Sequence, residues 1–124
     1  MTTITDDYVP FETAKLMKEH GFNSASDIVY NSDGYIFNMV CEPFVNYECY
    51  APTIGMALKW LREVHGLYAD VFIVDYAPEP WVGSVHKFND EIEIVSVYRN
   101  SGEFFSTYED AANHIINVCL EKFL

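Results

Sequence analysis

The sequence predicts a small α+β protein, in which three helices pack on one side of a largely antiparallel sheet of about five strands, as a two-layer sandwich. Two observations lead to this prediction. Apolar residues recur at helical spacing in three segments, and turn residues separate short apolar runs rich in β-branched and aromatic residues. The predicted order is α-β-β-α-β-β-β-α, with strands joined mainly as hairpins. A chain of 124 residues has the usual size of one domain, so residues 1–124 are predicted to form a single domain.

Each predicted helix has an apolar stripe and a recognisable start. The first runs from Pro10 to His20, because proline suits a first turn where its missing N–H has no partner to lose. The second runs from Thr53 to His65, has Thr53 as its N-cap and carries the clearest helical periodicity in the chain. The third runs from Tyr108 to about Lys122, and the segment STYED at 106–110 offers two overlapping capping boxes.

A short motif occurs twice, as KEHGF at 18–22 and REVHGL at 62–67. Glycine commonly follows a helix end because it adopts the left-handed conformation easily, and an apolar residue then folds back on the last turn. Gly21 and Gly66 are therefore predicted to end the first two helices, which leaves His20 and His65 at negative helix ends. Neither histidine lies in a metal-ligand pattern such as HExxH, so we predict no metal and no cofactor.

Two hairpins and a single strand are predicted between the helices. The first hairpin covers 27–41 and turns at Asp33-Gly34, and the single strand covers 71–76. The second hairpin pairs 81–87 with 92–99 around Asn89-Asp90.

The simplest register of the second hairpin makes several side chains neighbours. It places Trp81 opposite Tyr98, so that both flank Gly83, whose missing side chain an aromatic ring can cover. It also places Val85 opposite Ile94 and His86 opposite Glu93.

Charge is the most unusual bulk property, since nineteen acids face seven bases for a net charge of −12. Residues 63–124 alone carry eleven acids and three bases. Such a surface repels phosphate backbones and anionic membranes, so we expect no direct nucleic-acid or membrane binding. It attracts a partner with a basic surface, although acidity also serves solubility alone. The N-terminus has neither the basic start nor the apolar run of a signal peptide, which predicts a cytoplasmic protein.

Aromatic residues make up 16% of the chain, and such residues supply much of the binding energy at protein interfaces, although they also fill cores. We predict an acidic-aromatic binding surface formed by Glu79, Trp81, Asp90, Glu91, Glu93 and Tyr98. Carboxylates at this density also suit calcium or magnesium, but their spacing does not match a calcium loop, so a solvated acidic face is expected.

The sequence contains no phosphate-binding loop and no GxSxG nucleophile motif. His86 opposite Glu93 is either an acid–base pair or an ordinary ion pair across two strands. Cys49 is either a nucleophile or a reduced, partly buried thiol, since it lies four residues before Thr53 and a helix N-terminus activates a thiol only at close range. Three cysteines without CxxC spacing argue against a disulfide framework and a zinc knuckle.

Two longer segments, 52–67 and 101–116, carry a resemblance to a known group. The chain resembles small uncharacterised proteins encoded by gut anaerobes and by their phages and prophages. The matching residues are Pro52, Thr53, Ala57, Trp60, Leu61, Arg62 and Glu63, then Ser101, Gly102, Tyr108, Glu109 and Ala111. The resemblance implies a setting on phage or other mobile DNA, and it implies no activity.

We therefore predict a non-enzymatic, acidic protein-binding module that acts as a phage or mobile-element accessory factor. In a sharper version of this hypothesis, the module imitates the charge of DNA and occupies a basic groove of its partner. Two alternatives stay open: a small enzyme or ligand binder that uses His86, Glu93 or Cys49, and a homo-oligomeric structural component held by an exposed aromatic face.

Overall fold

The computed structural model describes residues 7–23, 26–43, 46–75, 78–99 and 104–124, with the backbone alone for 95–99. The chain forms two compact units, Met1–Met56 and Ala57–Leu124, and the division falls within the second helix. The α helices are α1 (Phe11–Glu19), α2 (Ile54–His65) and α3 (Tyr108–Val118). The strands are β1 (Ile28–Tyr30), β2 (Ile36–Asn38), β3 (Cys49–Tyr50), β4 (Leu67–Ile73), β5 (Trp81–Phe88) and β6 (Ile94–Arg99). The α+β class is therefore confirmed, and the prediction of one domain stays a prediction.

The sheet of the first unit has the order β2-β1-β3, with both neighbours antiparallel to β1. The predicted hairpin around Asp33-Gly34 is confirmed. The Asn31 side chain accepts the N–H groups of Asp33 and Tyr35, both at 3.0 Å, and Gly34 has a φ of +85°. The turn is therefore fixed by an asparagine side chain and by a glycine in the left-handed region.

The end of α1 confirms the capping interpretation of the first repeated motif. Gly21 has a φ of +95°; its N–H donates to the Lys18 carbonyl at 3.1 Å, and the N–H of Phe22 donates to the Met17 carbonyl at 2.9 Å. These two bonds form a Schellman motif, and Phe22 is buried as predicted. His20 occupies the C-cap of the helix.

The ends of α2 agree with the sequence as well. The Thr53 hydroxyl accepts the N–H of Met56 at 3.1 Å, which is the bond expected of an N-cap. Gly66 directly follows the helix with a φ of +66°. Within the second unit, the His65 ring meets the Trp60 ring edge-on with the centroids 4.6 Å apart.

Replacement of Gly21 by alanine is expected to lower the free energy of unfolding by about 1–2 kcal/mol, because a Cβ is disfavoured at a positive φ. A Cβ at Gly21 meets nothing within 4 Å, so the effect is purely one of backbone conformation. Gly55→Ala is the matched control. This glycine lies in α2, where a Cβ also meets nothing within 4 Å, and alanine there raises stability by roughly 0.5–1 kcal/mol. Urea denaturation of both variants checks the opposite signs, and equal effects would contradict the left-handed cap.

The sheet of the second unit is antiparallel with the order β4-β5-β6, and α3 packs on β4 and β5. The Thr107 hydroxyl caps α3 by accepting the N–H of Asp110 at 3.1 Å, so of the two overlapping capping boxes in STYED the one that begins at Thr107 supplies the N-cap. The buried stripe of the helix is Ala111, Ala112, Ile115, Ile116 and Val118, and the chain continues into a π-helical turn, Cys119–Phe123.

The prediction of one sheet of about five strands is not confirmed, since the described strands form two sheets of three. The observed order also contains one more strand before α2 than the sequence predicted. That strand, β3, has two residues, and so short a segment has no alternation to detect.

The predicted register of β5 and β6 is wrong. Val85 lies opposite Tyr98 rather than Ile94, and His86 lies opposite Val97 rather than Glu93. The reason is the turn, which holds five residues, 89–93, instead of two. The Asn89 side chain accepts the N–H groups of Glu91 and Glu93, both at 2.9 Å, and a bulge follows next to Phe88.

Trp81 is consequently not opposite Tyr98. Its backbone exchanges two hydrogen bonds with Phe105, at 3.0 and 2.8 Å, and its ring meets Tyr108 edge-on with the centroids 5.6 Å apart. Gly83 is covered by Ile115 of α3 rather than by an aromatic ring on either side.

Candidate functional surface

The face of the second unit's sheet that points away from α3 carries exposed aromatic side chains. Gly83 lies against Ile115, and side chains alternate along a strand, so the residues next to Gly83 point to the opposite side. We call this side the outer face; Tyr68, Asp70 and Phe72 on β4 are exposed there, His86 and Phe88 on β5 are half-buried, and Val82 and Ser84 on β5 are buried. Tyr68 and Phe72 are 43% and 44% exposed.

The rings of the outer face contact one another. The Tyr68 ring meets the Phe88 ring edge-on at a centroid distance of 5.1 Å, and the His86 ring lies nearly parallel to Phe88 at 6.5 Å. Beside them, Asp70, Val71, Phe72, Ser84 and His86 line an open depression of about 570 Å³. The arrangement combines an apolar strip with one carboxylate and one imidazole.

The turn at one end of β5 adds negative charge to this surface. We call residues 89–93 the acidic tip, since the side chains of Asp90, Glu91 and Glu93 are all exposed there. Ile92 is 81% exposed and holds a φ of +61°, and Ile94, which pairs with Phe88, is 55% exposed. The tip therefore places three carboxylates next to two exposed apolar side chains.

The structure brings together only part of the predicted acidic-aromatic surface. Asp90, Glu91 and Glu93 share the acidic tip, whereas Glu79 lies in the β4–β5 connection at the other end of β5. Trp81 packs against Tyr108, and the side chain of Tyr98 lies outside the described part of the chain. The residues that the sequence analysis missed are Tyr68, Phe72 and Phe88. The signal for the first two was present, because the alternation in LYADVFI puts Tyr68, Asp70 and Phe72 on one face.

The predicted pairing of His86 with Glu93 is wrong, both as an acid–base pair and as an ion pair across strands. His86 lies between Val97 on β6 and Tyr68 on β4. The Glu93 carboxylate instead lies 3.5 Å from the Asn89 side-chain amide, within the acidic tip. His114 of α3 is half-buried and packs on Phe105 with the ring centroids 5.1 Å apart.

Cys49 lies in the first unit, in the wall of a cavity of about 290 Å³. The lining residues are Ala14, Lys18, Gly21, Phe22, Asn23, Tyr47, Cys49 and Tyr50. The thiol is 2% exposed, and burial raises its pKa, which the charge of Lys18 offsets only in part. A thiol with a raised pKa stays protonated near neutral pH, so this environment does not activate Cys49 as a nucleophile.

Within the described ranges, no group of three or more His, Cys, Asp or Glu side chains is placed to hold a metal ion. The helices of those ranges also include none that is long and apolar enough to cross a membrane. Comparison of the chain with models of known families, with curated proteins and with solved structures gave no match.

Proposed function

We propose that the chain is a non-enzymatic, acidic protein-binding module that presents the outer face and the acidic tip to a partner protein. The observation that carries this proposal is the juxtaposition at one end of the sheet. Exposed Tyr68 and Ile94 lie next to Phe88, and exposed Ile92 lies among the carboxylates of the tip. An apolar centre with a charged rim is the usual composition of a protein interface.

The charge of this surface indicates the kind of partner. Residues 63–124 carry eleven acids and three bases, so a partner with lysine and arginine around an apolar patch is complementary. The aromatic side chains favour an interface with apolar contacts over one that only imitates the charge of DNA, because charge imitation needs no apolar contact. The resemblance to proteins of phages and prophages supports a role as an accessory factor of mobile DNA.

The test is affinity capture from a lysate of an anaerobic gut bacterium, with the wild-type chain and two variants compared side by side. Asp90→Asn/Glu91→Gln/Glu93→Gln removes the charge of the tip, and Tyr68→Thr/Phe72→Thr removes the exposed rings while keeping strand propensity. Each variant should reduce capture of the same partner by about tenfold or more, because a few central side chains supply most of the binding energy of an interface. Capture should weaken between low and high salt without vanishing, because only the charged part is screened.

A matched control separates a local charge effect from that of net charge. Asp27→Asn/Asp33→Asn/Glu42→Gln removes three exposed carboxylates of the first unit and changes the net charge by the same amount. The control should capture the partner as well as the wild type does. Equal losses in the control and the tip variant, or capture that neither set of substitutions reduces, would contradict the proposal. A sedimentation measurement on the same variants tests the alternative of self-association through the outer face.

A further inference from the structure

The cavity of the first unit is lined by residues of α1, of the turn that follows it, and of strand β3 with the segment before it. Its volume of about 290 Å³ is near the lower end of the range for ligand cavities, roughly 300–1,000 Å³. A site of this size suits a compact ligand with about one ring. Nothing in the proposed binding to the outer face uses this cavity.

The inner wall of the cavity is apolar. Ala14, Phe22 and Cys49 line it and are only 1%, 5% and 2% exposed. The little surface that each of them exposes therefore borders the cavity. The protonated thiol behaves as a small apolar group in this setting. A ligand that fills the inner part of the cavity therefore needs an apolar portion.

Two stacked tyrosine rings form part of the wall of the cavity. The rings of Tyr47 and Tyr50 stack with their centroids 5.4 Å apart and their planes 28° apart. A side-chain hydrogen bond with Tyr47 raises the pKa of Tyr50, so the two hydroxyls contact each other beside the stacked rings. A planar ring is the shape that packs best on such a wall.

One positive charge is directed to this cavity. The Lys18 ammonium donates to the Glu48 carbonyl at 2.6 Å; an ammonium group has three donors, so within the described ranges this bond leaves Lys18 able to donate to a ligand as well. Lys15, the next lysine near Cys49, is already engaged by Glu12 at 3.2 Å and lies over the Phe11 ring. Among the residues that the structure describes, Lys18 is thus the lysine that lines the cavity and can reach a ligand there.

The negative end of α1 at the cavity opposes an anion, but part of its carbonyl groups are already engaged. The carbonyl groups of Met17 and Lys18, which would repel an anion, already accept the N–H groups of Phe22 and Gly21. The exposed carboxylate of Glu48 and the net charge of −12 weaken the attraction of Lys18 for an anion. Salt screens the remaining attraction, so it acts at short range.

We infer that this cavity is a binding site for a compact aromatic carboxylate, whose ring lies against Tyr47 and Tyr50 and whose carboxylate accepts hydrogen bonds from Lys18. This site is separate from the proposed protein-binding surface, and either can fail without the other. The ring of the ligand supplies most of the contact area, and the Lys18 ammonium selects a negatively charged ligand over a neutral one.

The test uses benzoate and its neutral counterpart benzamide as probes, titrated to about 10 mM because small probes bind weakly. Backbone amide signals in an NMR spectrum report both the affinity and the position. Benzoate should shift the signals of residues 14–23 and 47–50 and bind about five- to tenfold more tightly than benzamide. Lys18→Met should abolish that preference, and Lys59→Met, which removes an exposed lysine from α2, should preserve it.

Ala14→Met provides a second, independent check, because it fills the cavity without changing its charge. This variant should lose both probes while the amide signals of the second unit stay in place. Equal affinity for benzoate and benzamide, shifts outside 14–23 and 47–50, or binding that survives Ala14→Met would each overturn the assignment. Absence of benzoate binding over the whole titration would overturn it as well.

Discussion

Gly83→Ala is expected to lower the free energy of unfolding by about 1–3 kcal/mol, the usual penalty for an extra methyl group in a full core. A Cβ at this position would lie 2.9 Å from Cβ of Ile115, and 3.2 and 3.3 Å from its Cγ1 and Cδ1. The contact with Cβ is held by the backbone of α3, so rotation of the Ile115 side chain cannot relieve it. Helix and sheet must separate by several tenths of an ångström instead. Urea denaturation measures the loss.

A double-mutant cycle with Ile115→Ala identifies the cause. Ile115→Ala alone removes a fully buried side chain and should cost about 2–5 kcal/mol. In the double variant the contacts with Cγ1 and Cδ1 are gone and only the contact with Cβ, which alanine keeps, remains, so the two single losses should sum to more than the combined effect. Strict additivity, or a Gly83→Ala variant within about 0.3 kcal/mol of the wild type, would mean that α3 does not approach β5 this closely.

The helices were predictable because local signals fix their ends. A threonine hydroxyl caps both α2 and α3, and a glycine with positive φ ends α1 and α2, so neither boundary depends on the rest of the fold. The strand register was not predictable for a related reason. It depends on whether the Asn89 side chain accepts the N–H groups of Glu91 and Glu93, which gives a five-residue turn. A two-residue turn at Asn89-Asp90 is equally compatible with this sequence.

The candidate surface was predictable only where its residues are neighbours in the chain. Asp90, Glu91 and Glu93 share one turn, so any register places them together. Trp81 and Tyr98 were grouped by a register that shifted, and Glu79 lies at the other end of β5. The cavity of the first unit depends on packing between segments about thirty residues apart, as the bond from Lys18 to Glu48 illustrates. The spacing of apolar residues along the chain does not predict a contact between segments that far apart.

Stability above pH 9 should decline in a way that depends on Cys119. This thiol is fully buried, and burial raises its pKa from 9.0 to about 12. Below pH 9 the folded and unfolded states both hold the proton, so the thiol contributes no pH dependence. Between pH 9 and 12 the unfolded state releases the proton and the folded state keeps it, so the free energy of unfolding falls by about 1.4 kcal/mol per pH unit, or roughly 4 kcal/mol in all.

Urea denaturation at pH 8, 9, 10 and 11 should therefore give a steeper decline for the wild type than for Cys119→Ala, whatever the absolute stability of the variant. Cys41→Ala is the matched control, since Cys41 is exposed and its removal should leave the slope of the wild type unchanged. Burial also raises the pKa of Tyr30 and of Cys49, but both residues are common to all three proteins, so their contributions cancel in the comparison. Parallel curves for the wild type and Cys119→Ala would mean that water reaches this thiol, and the buried stripe of α3 would then end before the π-helical turn.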